Sequence, residues 1–134
     1  MFVLDASVAL SWCFPDELNA YADKVLRYFK ADRASVPSIW SLEVANALLV
    51  GRKRGRMNQE QLQIALSLLS ELKISVDVVT PAHVFRHTVP LALGNDLTAY
   101  DTAYLELAQR LGCPLATADQ RLYQAAQRIG VHIF

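Results

Sequence analysis

Residues 2–14 read FVLDASVALSWCF, and the turn in character at Asp5 decides the fold. Phe2-Val3-Leu4 is three apolar residues without alternation, the pattern of a short strand buried on both faces of a parallel sheet. Past Asp5 the sequence predicts a short helix from Ser7 to Phe14, stopped near Pro15. The far end of the chain repeats this order. Pro114-Leu115-Ala116-Thr117 predicts a strand that ends just before Asp119, followed by a helix to Arg128. Gly130 breaks that helix, and Val131-His132-Ile133-Phe134 predicts a last strand.

The intervening sequence keeps alternating. Residues 16–30 place Leu18, Ala22, Val25, Leu26 and Phe29 on one helical stripe. Ala34-Ser35-Val36 predicts a second strand, and Pro37-Ser38 opens a helix over about 38–53. Asn58 is placed to cap a further helix whose stripe is Leu62, Ala65, Leu66 and Leu69. Val76 to Val79 predicts another strand. Thr80-Pro81 starts a helix through about Leu93, with Gly94 as its stop. A helix over 97–111, with Asp96 read as its N-cap and Asn95 as a competitor, closes at Gly112. No Asn-Gly or Asp-Gly pair joins two strands as a hairpin. The expectation is an α/β fold: one domain over 1–134, with helices on both faces of a central, mainly parallel sheet.

Composition narrows the function. At 134 residues, 53% hydrophobic and 19% charged, the chain has enough apolar material for a core without staples. Thirteen basic and thirteen acidic side chains cancel, which argues against a strongly cationic, sequence-independent nucleic-acid binder. Cys13 and Cys113 have no CxxC or Cys/His companions and read as reduced thiols. No charged n-region and signal core open the chain, and no apolar run approaches the ~18–20 residues of a membrane span. A cytoplasmic protein is expected.

Four acids carry the chemistry. Asp5 and Asp119 follow strands, where open parallel sheets bind ligands; each is also the residue type that caps a helix. Glu43 interrupts a helix apolar nearly all round, from Ile39 and Trp40 to Leu49 and Val50. Such a helix is expected to be buried, and a buried carboxylate needs a proton, a partner or a cation. Asn46, at i+3 from Glu43, shares its face and is the local alternative partner; a basic side chain from elsewhere in the chain is the other. Asp101 lies on the inward stripe with Leu97, Tyr104, Leu105 and Ala108, where a tyrosine hydroxyl is the alternative. Four converging carboxylates repel unless protonated or neutralised. With oxygen donors and no His or Cys among them, the fitting ion is Mg²⁺ or Mn²⁺, and its chemistry is hydrolysis of a phosphodiester.

In this order Val3-Leu4-Asp5-Ala6-Ser7, Glu43-Val44-Ala45-Asn46-Ala47, Tyr100-Asp101-Thr102-Ala103-Tyr104 and Thr117-Ala118-Asp119 resemble the PIN-domain nucleases. End-to-end coverage and size are similar to the VapC toxins of toxin–antitoxin systems. The resemblance implies a PIN-like three-layer α/β/α sandwich and a metal-dependent endoribonuclease. It implies Asp5, Asp101 and Asp119 as metal-associated acids, and Glu43 as a ligand through water or the positioner of the attacking water. Ser7, Asn46 and Thr117 would be hydrogen-bonding supports. A small cognate antitoxin and a homodimer, the latter through surplus apolar faces in 38–50 and 62–72, are also implied.

Other signals are less specific. Gly51-Arg52-Lys53-Arg54-Gly55-Arg56 reads equally as an RNA-phosphate grip beside the acids or as a solvated helix end. His83 and His87 have i, i+4 spacing but no third ligand, and surface histidines are expected. The five tyrosines are read as packing rather than as base-stacking residues. Two rivals remain: a catalytically silent PIN-fold interaction module, and an aspartyl phosphotransfer domain of the receiver or haloacid-dehalogenase kind. Ser7 stands where the latter needs a second acid, and residues 117–121 lack the lysine of a receiver.

Overall fold

The computed structural model describes residues 1–134. Four strands, β1 (Phe2–Leu4), β2 (Ala34–Pro37), β3 (Ile74–Asp77) and β4 (Leu115–Ala116), pair in parallel in the order β3-β2-β1-β4. Val3 lies opposite Ser35 on one side and Leu115 on the other. The expected last strand is reduced to one bridge, Ile133 to Leu115. From β1 the chain first builds outward through β2 and β3, then returns to place β4 on the opposite side. The carboxyl end of β1 is therefore the point where strand order reverses, and Asp5 and Asp119 leave the sheet on either side of it.

Eight α-helices surround the sheet: α1 (Ala6–Cys13), α2 (Ala20–Tyr28), α3 (Trp40–Lys53), α4 (Gln59–Glu71), α5 (Pro81–His83), α6 (Val89–Asn95), α7 (Ala99–Leu111) and α8 (Gln120–Ile129). α1 packs against α2, α3 and α4, whereas α7 lies on β1 and β2 and packs against α6 and α8. Phe2, fully buried, meets the rings of Phe29 and Phe134 at centroid distances of 5.1 and 4.9 Å. Asn58 caps α4 as expected, its side chain accepting from the Gln61 N–H while Gln61 answers the Asn58 N–H.

Several boundaries differ from expectation for identifiable reasons. The helix expected from residue 16 starts at Ala20, because the Asn19 side chain accepts the Ala22 N–H at 2.8 Å and residues 15–17 form a 3₁₀ turn. The third strand lies two residues earlier than its most apolar run, at the register where Ile74 pairs with Ala34 and Asp77 with Pro37. Asp96 does not cap α7. It ends α6 in the left-handed conformation, φ 52° and ψ 48°, which Asp tolerates better than most residues. Thr98 is the cap, its hydroxyl accepting the Asp101 N–H at 3.1 Å. Between α5 and α6 a π-helical turn spans Val84–Thr88, just before Pro90, which brings no N–H to an α-helical ladder.

α3 also departs from expectation. Trp40, Val44, Leu48 and Gly51 are buried, but Leu42, Leu49 and Val50 face outward. The helix is a surface helix with one inward stripe, so Glu43 is half-buried by the site around it rather than by burial of the whole helix.

Candidate active site

At the switch point, Asp5 is only 5% exposed. It stands at the N-cap position of α1, yet its side chain caps nothing. Its Oδ2 instead accepts from Ser7 Oγ at 2.5 Å and from Thr117 Oγ1 at 2.7 Å. Both bonds fall on one oxygen, so Oδ1 keeps its lone pairs for another partner. Ser7 Oγ accepts in turn from the Ala118 N–H at 2.9 Å, and Thr117 Oγ1 from the Asp119 N–H at 3.0 Å. The Thr117 N–H donates to Tyr21 Oη at 3.2 Å. The two strand ends that carry Asp5 and Asp119 are thus tied together by side chains from 112 residues apart.

Glu43 enters from the first turn of α3. Its Oε1 accepts from Tyr104 Oη at 2.5 Å, and Tyr104 is completely buried on α7. Asp101 is in the first turn of α7, and Asp119 opens α8, its Oδ1 accepting the Leu122 N–H at 2.9 Å. For Asp119 the cap role is real; Oδ2 remains free of it.

The charges interact. Burial pushes the Asp5 carboxyl up to about 6, against the lowering effect of the Ser7 and Thr117 hydrogen bonds, and the charges of Asp101 and Glu43 add to the rise. Burial also raises Glu43, opposed by Tyr104 and helped by Asp101. Asp101 is raised by burial and by Asp119, with Thr98 and Arg121 opposing. Asp5, Glu43 and Asp101 therefore act on one another, with Asp119 joined through Asp101, and none of the four is in an ion pair with a lysine or arginine of the chain. This negative basin is not a preformed cage, since no three His, Cys, Asp or Glu side chains are grouped to ligate one ion. Mg²⁺ does not need one: it binds through one or two carboxylates and keeps its waters. An all-oxygen donor set with Asp5 Oδ1 unpartnered fits such an ion.

Ser7 and Thr117 support Asp5 directly. Asn46 is exposed and makes no hydrogen bond to Glu43; Tyr104, from another helix, takes that place. The basic run does not stand beside the acids. α1 and α3 run the same way, Phe14 lying against Gly51, so Arg52 is roughly 13 Å along the axis from Glu43 at 1.5 Å per residue. Arg56 pairs with Asp16 and Glu17 and stacks over Phe14 at 4.1 Å, while Arg52, Lys53 and Arg54 are exposed. Nearer to the acids is Arg121 on α8, which donates to the Asp96 carbonyl at 2.8 Å. With Gln124 and Arg128 it borders a polar groove closed on the other side by Asn95 and Asp96. The sequence offered no reason to select Arg121. Tyr104 had a signal, since a tyrosine on an inward stripe must find a partner for its hydroxyl.

His83 is not a free surface histidine. Its Nε2 lies 2.7 Å from Glu106 Oε1, and Arg110 donates to both Glu106 and Asp77.

The PIN domain family profile matches residues 2–128. The chain belongs to that family. It is 30% identical over 120 residues to Ribonuclease VapC3 of Pyrobaculum aerophilum, covering 90% of each chain. It is also 30% identical over 127 residues to VapC ribonuclease Mb0985 of Mycobacterium bovis, covering 95% of this chain and 92% of that one. Its fold is similar to PAE2754 from Pyrobaculum aerophilum, with a TM-score of 0.65 at 23% identity, over 92% of this chain and 84% of the other. FitAcB from Neisseria gonorrhoeae also shares the fold, at a TM-score of 0.65 and 16% identity, over 100% and 96% of the two chains. No helix is long and apolar enough to cross a membrane.

Proposed function

We propose that this chain is an endoribonuclease of the VapC kind, the toxin half of a toxin–antitoxin pair, acting in the cytoplasm on RNA with Mg²⁺ or Mn²⁺. The observation that carries the reading is the shared negative basin of Asp5, Glu43, Asp101 and Asp119, which no internal cation neutralises, in a chain whose relatives are ribonucleases. Asp5, Asp101 and Asp119 would hold the ion, and Glu43 would reach it through water. Bound there, it would supply charge neutralisation at a phosphoryl oxygen and a more acidic water.

The chain's own residues have separate tasks. Ser7 and Thr117 fix the Asp5 carboxylate so that Oδ1 faces the basin. Tyr104 holds Glu43 by Oε1, leaving Oε2 to orient the attacking water and accept its proton. Water oxygen joins phosphorus, the P–O bond to the leaving nucleoside breaks, and the leaving oxygen takes a proton from solvent. Arg121, whose charge reaches Asp101, would offset repulsion between the basin and the RNA backbone, and Arg128, two turns further along the same helix, would extend that contact. A small antitoxin and a second copy of the chain are the expected partners; exposed Leu42, Leu49 and Val50 on α3 and Ile64 and Leu66 on α4 support the dimer.

Asp101→Asn tests the reading. The variant is expected to fold with an unchanged circular dichroism spectrum while losing at least a hundredfold in RNA cleavage and in growth inhibition. Wild-type cleavage in this variant and in Asp5→Asn would refute the assignment.

A further inference from the structure

One cavity adjoins the basin without belonging to it. It has a volume of about 220 Å³, below the ~300–1,000 Å³ of sites for drug-sized ligands and on the scale of one heterocycle. Ile39, Val79, Val84, Ala99, Tyr100 and Ala103 give it apolar walls. Two of these walls are the helices that carry the acids. The Ile39 carbonyl accepts the Glu43 N–H at 3.0 Å, one turn away, and Tyr100 immediately precedes Asp101. Tyr100 is 62% exposed, an aromatic face at the rim.

The polar lining consists of Ser38, Asp77, Thr88 and Glu106. Arg110 grips both carboxylates, Asp77 at 3.2 and 2.6 Å and Glu106 at 2.8 and 3.2 Å, and His83 adds a contact to Glu106 at 2.7 Å. They are fixed acceptors. Thr88 is 96% buried, and its hydroxyl has no hydrogen-bond partner within the chain. It is not sealed away: the one sealed side-chain polar atom without a partner is Trp40 Nε1. Thr88 ends the π-helical turn, a feature that recurs at functional sites. A hydroxyl open to the cavity in this way is completed by water or by a polar atom of whatever displaces that water.

We propose that this cavity is a nucleobase subsite: it takes one unstacked base of a single-stranded RNA, guanine in preference to uracil, while a neighbouring phosphodiester lies among the four acids. The inference rests on the ribonuclease reading. Sequence-specific RNA recognition works on unstacked bases held by an aromatic face and read along their hydrogen-bonding edges. Tyr100 offers the face. The lining offers two carboxylates and the hydroxyls of Ser38 and Thr88, and guanine presents adjacent ring and amino N–H donors where uracil presents a single N–H between two carbonyls.

Two measurements test it. Metal-free protein is titrated with GMP and UMP, following the backbone amide resonances of Thr88, Ala99 and Tyr100. GMP is expected to shift them and to bind at least roughly fivefold tighter than UMP, the lower end of what one bidentate base-edge contact discriminates; Tyr100→Ala should lose that binding and Thr88→Val should weaken the discrimination. Separately, sequencing of products from a randomised RNA should show a guanine preference at one fixed position, flattened in both variants. Equal binding of the two nucleotides, or a base preference unchanged in both variants, overturns the subsite. If instead both variants keep nucleotide binding but lose affinity for a protein inhibitor, the cavity is a peptide groove and the proposal is wrong. GMP binding in a protein that never cleaves RNA would leave the nucleotide cavity standing and remove the nuclease.

Discussion

Tyr104 and Glu43, 61 residues apart, meet at 2.5 Å, hydroxyl to carboxylate. A completely buried tyrosine on α7 thereby fixes the orientation of a half-buried acid on α3. Tyr104→Phe removes the donor without opening a cavity. The expected cost is about 1.5–3 kcal/mol, the range for a hydrogen bond to a charged group, read as a fall in Tm. Since the bond lowers Glu43, its loss should move the acid limb of the kcat/KM profile to higher pH. An unshifted limb would mean that Glu43 is not the group titrating in catalysis.

Without a cation, Asp5 should make the protein less stable as pH rises. Its carboxyl is raised from 3.8 to about 6 in the folded state, so between those values the native chain holds a proton that the unfolded chain has released. Stability then falls with pH across that window, by up to about 3 kcal/mol, and the raised Glu43 and Asp101 act with the same sign. In EDTA, Tm should drop from pH 4.5 to 7, and less so in Asp5→Asn. Mg²⁺ or Mn²⁺ at pH 7.5 should restore Tm in the wild type alone. A metal-independent, pH-flat Tm would contradict both expectations.

RNA affinity should depend on α8 more than on the end of α3. Arg121 is exposed, lowers the Asp101 carboxyl by its charge, and lies two turns from Arg128 along one face. If each meets one phosphate, Arg121→Ala with Arg128→Ala reduces the slope of log K against log salt by about 1.4, at ~0.7 per phosphate on single strands. Binding is measured with Asp101→Asn as background, so that no cleavage intrudes. A larger slope change on replacing Arg52, Lys53 and Arg54 would return the grip to the basic run.

Gly51→Ala pits two effects against each other. In a helix interior alanine is favoured by about 1 kcal/mol over glycine. Here, however, a Cβ would stand 2.5 Å from two atoms of the Phe14 ring, which is 1% exposed and bounded by the Arg56 guanidinium. Overpacking of a fixed ring costs about 1–3 kcal/mol and should win, giving a lower Tm; a higher one would show that the ring has room to move.

The fold was legible because local rules agreed. Asp5 follows a strand too short to be anything else, Asn58 carries its capping partner Gln61 three residues on, and Gly112 and Gly130 end their helices at φ 64° and 79°. Where two local signals competed, the sequence misled. Asp96, Asn95 and Thr98 are all capping residues, and only the path of the chain assigns Thr98. The run from Ile39 to Val50 is apolar enough to be buried, yet half of it is exposed, because one chain's sheet can cover one stripe of α3 and no more. Of the candidate site, the residue types and order of the four acids are written in the sequence. Asn46 was chosen for Glu43 by helical proximity, and the structure supplies Tyr104 from elsewhere.

What the amino-acid order determines alone is the alternation of strand and helix, the caps and stops, and the identity of acids at positions where an apolar residue would be cheaper. These are effects of neighbours within a turn or two, and neighbours are written in the sequence. Which hydroxyl reaches which carboxylate, that Asp5 keeps one oxygen free while Asp119 spends one on its helix, and that Arg121 rather than Arg54 borders the basin were decided by tertiary packing. Electrostatic and hydrogen-bond energies depend on distance in space, and between residues 5 and 117 or 43 and 104 that distance exists only once the sheet has formed.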